Sequence, residues 1–225
     1  MIIDNILYIN LDHRQDKRAN IEQQIRSINK HRPAYRIPGV YPNPNEPLSF
    51  TKLKDLNSNP EIYRKTIACF KAHRNAINYI YYNCNIANPQ HYSLILEDDI
   101  KIHKKSFIFS LLDSIDPPKS VDMIFLDNFL HKKYLLDNKE DSRIKYRHQL
   151  LVKTKHLNNY YAGAYAYLIK HNRLKKIVNI LNNTININTH VDMFLFYNYR
   201  IQVRSLITNL IEVDWSFKSD RMSVK

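Results

Sequence analysis

Glycine is scarce in this chain of 225 residues, which contains only Gly39 and Gly163. The glycine-rich loops that bind phosphates in many nucleotide-binding proteins follow the patterns G-x-x-x-x-G-K-[ST] or G-x-G-x-x-G. Neither pattern occurs in this sequence. A nucleotide site in this chain would therefore have to be built without either loop.

Cysteines and long apolar runs are scarce as well. Cys69 and Cys84 are the only cysteines, so neither a disulfide framework nor a C-x-x-C or Cys/His zinc cluster is predicted. No segment approaches the roughly 18 apolar residues of a membrane-spanning helix. The first segment, MIIDNILYINLDHRQDKR, carries an acid at position 4 and is unlike a secretory signal. We expect a cytoplasmic protein, in contact with a membrane only peripherally.

Positive charge is plentiful: 34 Lys and Arg residues against 21 Asp and Glu give a net charge of +13. Such a surface attracts nucleic acid, an acidic membrane surface or a phosphate-bearing substrate. Lysines that only solvate helix faces explain the excess equally well. A hydrophobic content of 44% is ordinary for a globular protein. We expect one domain that spans residues 1–225.

Apolar residues alternate between the spacing of strands and that of helices. Strands are predicted at 5–12, 92–97, 121–128 and 160–170, and helices are predicted around 21–28, 61–82, 106–115 and 174–181. Thr189 and Asp192 resemble a capping box that opens a last short helix. The proline-rich segment YRIPGVYPNPNEPL (35–48) is either a surface loop or a connection across a site. The alternation predicts an α/β fold with a mainly parallel central sheet flanked by helices.

The segment YSLILEDDIKI (92–102) carries three consecutive acids, Glu97, Asp98 and Asp99, at the end of a predicted strand. Ligands bind at the carboxyl ends of strands in such sheets, and extended geometry predicts Glu97 and Asp99 on one face with Asp98 opposite. The acids suit Mg²⁺ or Mn²⁺ together with a nucleotide diphosphate. Two alternatives remain at this point: a metal-dependent nuclease that uses Asp99, Lys101 and Asp12, or an exposed acidic turn.

Six segments in order resemble one family. They are INLDHRQDKR (9–18), IACFKAH (67–73), LILEDD (94–99), the strand that ends in Asp127, YYAGAYAYLI (160–169) and HVDMFL (190–195). Together they resemble the motif series of glycosyltransferase family 25, which includes lipooligosaccharide-biosynthesis and collagen galactosyltransferases. The family's usual Arg, Pro, Gly, Ser and Thr are replaced here by His13, Gln15, Ala68, Ala72 and Ala164.

The resemblance implies a GT-A-like, Rossmann-like domain whose nucleotide-sugar half is about 1–100 and whose acceptor half is about 101–217, before a polar tail at 218–225. It implies inverting transfer of galactose or glucose from a UDP-sugar, with Mn²⁺ or Mg²⁺ as cofactor, to a hydroxyl of a glycan, lipooligosaccharide or glycoprotein acceptor. Nucleic acid is then not expected as a partner. A catalytically inactive nucleotide- or carbohydrate-binding relative is the main alternative, and a nuclease is a weaker one.

The resemblance also implies roles for individual residues. Asp99 and Glu97 are the predicted metal ligands, with Glu97 or Asp98 reaching the ribose or a metal-bound water. Asp192 is the predicted base, and Asp127 is a lesser rival. The remaining predicted contacts to the nucleotide sugar are Asn10, Asp12, Arg14, Arg18, His73 and Gly163. For His73, which lies on an apolar helix stripe, a role in the core is the alternative.

Overall fold

The computed structural model describes residues 1–29, 31–45, 59–86, 88–103, 108–126, 151–153, 163–184, 187, 189–206, 210–214 and 216–217. The strands are β1 Ile3–Asn10, β2 Ala34–Pro38, β3 Tyr92–Glu97, β4 Ile100–Ile102, β5 Met123–Phe125, β6 Leu151–Lys153, β7 Ala166–Lys170, β8 Val203–Leu206 and β9 Ile211–Val213. The helices are α1 Gln15–Ile28, α2 Pro60–Asn83, α3 Ile108–Asp113, α4 Leu174–Asn182 and α5 Val191–Tyr197, and a 3₁₀ turn spans His171–Arg173.

Seven strands form one sheet in the order β2-β1-β3-β7-β5-β8-β6, and β4 pairs with β9 in a separate two-stranded sheet. Strand β7 is antiparallel to both of its neighbours, and β6 is antiparallel to β8. The other pairings are parallel, so five of the seven strands run in one direction. The predicted α/β class with a mainly parallel sheet is therefore confirmed. Strands from both predicted halves of the chain join this one sheet, because β3 pairs with β7.

Helices cover both faces of the sheet, as the alternation of apolar residues along β1 requires. Leu7 and Ile9 belong to the core under α2, α4 and α5. Ile6 and Tyr8 point to the opposite core, under α1 and α3. The hydrophobic core thus lies in two layers, one on each side of the sheet.

The start of α2 follows from the local sequence. The side chain of Asn59 accepts hydrogen bonds from the backbone N–H groups of Glu61 and Ile62, and Pro60 occupies the first helical position. Asparagine is favoured at the position before a helix, and proline at its first residue, because there the missing N–H costs nothing. This start fixes the register in which His73 faces the sheet.

The predicted capping box at the start of α5 is not formed. The helix begins at Val191 after His190, and the Asp192 carboxylate accepts a hydrogen bond from the N–H of Met193, its own neighbour. Asp192 lies within the first turn, where a carboxylate is favoured by the helix dipole. The end of the predicted strand 121–128, the polar run after it and the tail at 218–225 lie outside the described residues.

No helix among the described residues combines the length and the apolar character that crossing a membrane would require. The longest helix, α2, has 24 residues, but it interleaves polar and charged side chains with its buried stripe. Its buried stripe packs against the sheet and against α4 and α5.

Candidate active site

A cavity of about 430 Å³ opens where the neighbouring parallel strands β1 and β3 end. Its wall is formed by the ends of these strands, the first turn of α1, the loop after β2, one face of α2 and the chain that leaves β9. A volume of this size lies within the range of small-molecule sites. The carboxyl end of the sheet is the expected position for a ligand in this class of fold.

The three acids after β3 all line this cavity. The chain turns at Asp98 and Asp99 before β4 begins, so the alternation expected for an extended strand ends at Glu97. The prediction that Asp98 points away from Glu97 and Asp99 is therefore wrong. The turn is held from two sides, because the N–H of Glu97 donates to the carbonyl of Tyr165 and that of Asp214 donates to the carbonyl of Asp99.

Lys17 supplies the positive charge beside these acids, and sequence reasoning did not single it out. Its Nζ atom lies 3.1 Å from Asp99 Oδ2 and 3.7 Å from Asp98 Oδ1, and its side chain is only 2% exposed. Helix α1 is fixed next to the turn by Gln24, whose amide donates to the carbonyl of Ile100 and accepts from the N–H of Ile102. A buried lysine two turns before Gln24 is thereby brought onto the acids.

Asn10 orients Asp98 at the end of β1. Its amide nitrogen donates to Asp98 Oδ2 at 2.7 Å and to the carbonyl of Arg14 at 3.0 Å, while its side-chain oxygen accepts from Arg36 Nε. The residue is 1% exposed. Asn10 thus lines the predicted nucleotide side, but its polar atoms hold the acid turn in place.

Burial shifts the titration of two of the acids. Desolvation raises the pKa of Asp98 to about 7, against the opposing effects of the Asn10 hydrogen bond and the Lys17 charge. The pKa of Asp99 is raised by burial and by the Glu97 charge, with Lys17 again opposing. Ionising all three acids together is therefore unfavourable in this site, and Lys17 offsets that cost only in part.

His73 faces the cavity from α2 and is 1% exposed. Its Nε2 atom lies 3.0 Å from Glu97 Oε1, and its Nδ1 atom lies 2.9 Å from the hydroxyl oxygen of Tyr167. Burial by itself lowers the pKa of His73, but nearby Tyr167, Cys69 and Glu97 raise it well above its usual value. His73 is thus a buried residue that also contacts the acid cluster, and its contact to the nucleotide sugar stays a prediction.

Cys69 and His73 are one helical turn apart on α2, and with Glu97 they place a sulfur, a ring nitrogen and a carboxylate oxygen within 4.8 Å of one another. No Cys/His cluster was expected, because Glu97 joins the pair only through the fold. Such a mixed set with a thiol suits a softer metal than Mg²⁺ or Mn²⁺. The direct hydrogen bond between His73 and Glu97 instead makes these two an ion pair within the cluster.

The acids fit a hard divalent cation at one atom in particular. Asp99 Oδ2 faces Lys17, whereas Asp99 Oδ1 is buried without a hydrogen-bond partner among the described residues. An oxygen in that state is costly unless a ligand satisfies it. Glu97 Oε1 faces His73 and Asp98 Oδ2 faces Asn10. Asp99 is therefore the residue that would hold the cation, and Glu97 and Asp98 stand beside it.

Three of the predicted contacts to the nucleotide sugar, Asp12, Arg14 and Arg18, have side chains that do not line the cavity. Asp12 is exposed and pairs with Arg36, and Arg14 is bonded to Asp16 at 2.8 Å. Arg18 lies on the outer face of α1 with Glu22. Each of these side chains is thus engaged in an ion pair outside the cavity. The basic side chains among the described cavity residues are Lys17 and Lys65, together with the imidazoles of His13 and His73.

The two glycines allow close approaches around the cavity. A Cβ atom on Gly163 would lie 2.1 Å from the ring of Tyr165, a side chain that lines the cavity. Gly163 itself is not among the described residues that line the cavity, and its contact to the nucleotide sugar stays a prediction. Gly39 lies against Leu11 in the same way and donates its N–H to the carbonyl of Asn10. The loop after β2 contributes Gly39 and the next three residues to the wall, so this segment lies across the site.

Neither predicted base is among the described residues that line the cavity. Asp192, partly buried on α5, is not among the described residues that line the cavity, and Asp127 lies outside the described residues. Asp214, which follows β9, does line the cavity, and its Oδ1 atom accepts from the N–H of Ser216. No signal in the sequence distinguished Asp214, because its proximity depends on the pairing of β9 with β4.

The arrangement does not resemble a D-x-K nuclease centre. Lys101 is exposed on β4 and is not among the described cavity residues, and the cation beside Asp99 is Lys17. Asp12, the proposed second acid, pairs with Arg36. A larger groove of about 670 Å³ beside α4 and α5 is lined by amide side chains and by Lys175, Lys176 and Arg200. Its described wall contains no carboxylate, so the candidate chemistry lies in the smaller cavity.

Comparison with known proteins identifies a family and several solved structures to which the chain is similar. No curated protein matches the chain. Solved structures that are similar include a glycosyltransferase involved in the glycosylation of the major capsid of PBCV-1 (14% identity, 98% of this chain, 97% of that chain, TM-score 0.45). They also include GlyE of Streptococcus pneumoniae TIGR4 (10% identity, 98% of this chain, 56% of that chain, TM-score 0.49). A third is the galactosyltransferase LgtC with donor and acceptor sugar analogues (11% identity, 88% of this chain, 72% of that chain, TM-score 0.44).

The sequence model of glycosyltransferase family 25, described as LPS biosynthesis protein, matches residues 3–195. That range contains β1, the acid turn, His73 and α5 up to Leu195. The chain belongs to glycosyltransferase family 25.

Proposed function

We propose that this glycosyltransferase moves a hexose, galactose or glucose, from a UDP-sugar to a hydroxyl of a glycan, lipooligosaccharide or glycoprotein. The transfer inverts the anomeric carbon and depends on Mn²⁺ or Mg²⁺. The observation that carries the proposal is the acid turn at the end of β3, where three carboxylates line one cavity and Asp99 Oδ1 is buried without a described partner. This is the environment in which a hard cation and a diphosphate bind together.

The donor would lie with its diphosphate at the acid turn. Lys17 and Lys65 line that part of the wall and supply positive charge for phosphate oxygens. A divalent cation on Asp99 would neutralise the charge that develops on the departing diphosphate. Tyr41 and Tyr165 border the same cavity and offer flat surfaces for the base and for the sugar.

The acceptor hydroxyl must lose its proton as it attacks from the face opposite the nucleotide, and this requires a carboxylate separate from the metal ligands. Asp192 remains our prediction for this base. The cavity lining favours Asp214 as a second candidate, since its side chain borders the same space as the acid turn. The acceptor itself is proposed only by class, as a glycan in reach of a cytoplasmic enzyme whose basic surface contacts a membrane peripherally.

A ligand screen tests the proposal on the full chain. Thermal unfolding is followed with Mn²⁺, UDP, UDP-galactose, UDP-glucose or DNA, alone and in combination, because a ligand raises the stability of the state it binds. We expect the largest rise in Tm with Mn²⁺ and a UDP-hexose together, and slow hydrolysis of one UDP-hexose in the absence of acceptor. The substitution Asp99→Asn should lower that hydrolysis by about a hundredfold or more, as for other groups that stabilise developing charge.

The matched control is Asp113→Asn, which removes an exposed carboxylate on α3 away from the cavity and should leave hydrolysis unchanged. Stabilisation by DNA but not by UDP would contradict the proposal. Tight UDP-hexose binding with no hydrolysis, and no transfer to any acceptor in a broad panel, would assign the chain to the inactive relatives.

A further inference from the structure

Lys17 occupies an unusual place for a lysine. Its side chain is 2% exposed, and its ammonium lies 3.1 Å from Asp99 Oδ2. Lysine is rarely buried unless it is paired. Hydrogen bonds between α1 and β4 keep Lys17 in place. Gln24, on the same face of α1, ties that helix to both ends of β4 through two hydrogen bonds. The position of Lys17 is therefore built into the packing of α1 on the acid turn.

Lys17 and a divalent cation would share one carboxylate. The ammonium is on Oδ2 of Asp99, and the oxygen open to a cation is Oδ1 of the same group. Asp98 Oδ1 also faces the Lys17 ammonium, at 3.7 Å. Two positive charges on one carboxylate repel each other strongly in a site this poorly solvated.

We propose that Lys17 sets the metal affinity of the site: its ammonium competes with the divalent cation for Asp99 and Asp98, so that the cation binds weakly until a nucleotide diphosphate adds negative charge. This inference rests on the proposed function for the divalent cation at Asp99 and for the diphosphate. Lys17 is a positioning residue here, since it acts through Asp99 and Asp98. The consequence is cooperative binding, in which metal and nucleotide raise each other's affinity by the same factor.

The test is a calorimetric titration of the full chain with MnCl₂ after treatment with a chelator, in the absence and presence of UDP. In the wild type, Mn²⁺ alone should bind weakly, and UDP should tighten it. The substitution Lys17→Met removes the competing charge while it keeps most of the side-chain volume. We expect Mn²⁺ alone to bind Lys17→Met at least about tenfold more tightly than the wild type, given the strength of charge repulsion at short range.

Two variants control for charge and for folding. Lys101→Met removes a positive charge from an exposed position on β4 that is not among the described cavity residues, so Mn²⁺ affinity should change by less than about twofold. Lys17→Arg keeps the charge and should bind Mn²⁺ as weakly as the wild type. If Lys17→Met does not fold, the wild type still tests the inference, because equal Mn²⁺ affinity with and without UDP overturns it.

The outcomes separate the two proposals. Equal Mn²⁺ affinity in Lys17→Met and in the wild type overturns the role of Lys17, even if UDP-hexose turnover is found. A wild type that binds Mn²⁺ as tightly alone as with UDP overturns it as well. Tighter Mn²⁺ binding by Lys17→Met together with no UDP binding under any condition supports the role of Lys17 and contradicts the proposed donor.

Discussion

The imidazole of His73 joins the Glu97 carboxylate to the Tyr167 hydroxyl, with Nε2 3.0 Å from Glu97 Oε1 and Nδ1 2.9 Å from the Tyr167 oxygen. Because both ring nitrogens are engaged, the ring has one orientation. Tyr167 lies on β7 and is fully buried, so the chain of hydrogen bonds runs from the core of the sheet to the cavity. The first of the three acids is thereby fixed from inside the protein.

Replacing this imidazole should affect both stability and donor binding. The substitution His73→Phe keeps an aromatic ring but leaves the Tyr167 hydroxyl and Glu97 without their partner. Leaving a buried polar group unsatisfied costs about 1–3 kcal/mol in the free energy of unfolding. We also expect the affinity for UDP with Mn²⁺ to fall about tenfold, equivalent to about 1.4 kcal/mol. Denaturant unfolding and calorimetry measure the two quantities.

Tyr167→Phe is the comparison that separates the two effects. It removes the hydroxyl from the core side of His73 and leaves the bond between His73 and Glu97 in place. Its stability should fall by about 1 kcal/mol, the net contribution of one hydrogen bond, with UDP affinity unchanged. If both variants lose UDP affinity equally, His73 acts through the core and not through Glu97.

Substitutions at Asp214 and Asp192 can show which of the two carboxylates is the general base. Asp214 borders the cavity beside the acid turn, whereas Asp192 is held in the first turn of α5 by its bond to the N–H of Met193. Loss of a general base lowers the rate by about 10²–10⁴ without weakening donor binding. We therefore compare kcat and KM for UDP-hexose hydrolysis in Asp214→Asn and Asp192→Asn. The base is the residue whose substitution lowers kcat and leaves KM unchanged, and a fall in neither contradicts both assignments.

The regular elements of this fold were predictable because their apolar spacing is local. Ile21, Ile25 and Ile28 lie inward on α1, and the stripe around His73 lies inward on α2, as their spacing indicates. For the segment after β2, the sequence allows either a surface loop or a connection across a site. Only the fold shows that Gly39 lines the cavity. The direction of β7 was likewise undetermined, since a buried strand has the same pattern in either direction.

The site was predictable in part for a related reason. The position of Glu97, Asp98 and Asp99 at the cavity follows from a strand end, which can be read from the sequence. The partners of these acids cannot be read in the same way. Lys17 precedes Asp99 by 82 residues, and on a chain with so many lysines nothing local marks it as buried. Arg14 and Arg18 were the expected phosphate contacts, yet they pair with Asp16 and Glu22 on α1.

His171 gives the last prediction, on the dependence of stability on pH. The residue is 4% exposed at the end of β7, with Nδ1 3.1 Å from the carbonyl oxygen of Asn88 and Nε2 2.9 Å from the Ser93 hydroxyl oxygen. Burial lowers the pKa of His171 below its usual 6.5, and the charge of His91 lowers it further. The hydrogen bond to the Asn88 carbonyl and the charge of Asp4 act in the opposite direction. The unfolded chain therefore takes up a proton at a higher pH than the folded chain.

The sign follows from proton linkage. Above about pH 6.5 His171 is neutral in both states, and its contribution to stability is complete. As the pH falls below 6.5, the unfolded state is protonated first, so the free energy of unfolding decreases by at most about 1.4 kcal/mol per pH unit from this one group.

His171→Asn keeps a donor for the Asn88 carbonyl and should be less stable at pH 8 by about 1–2 kcal/mol. Between pH 7 and pH 5 it should lose less stability than the wild type. His13→Asn, at an exposed histidine, is the control for the loss of an imidazole; a slope in His171→Asn equal to that of the wild type would mean that His171 does not titrate differently on folding.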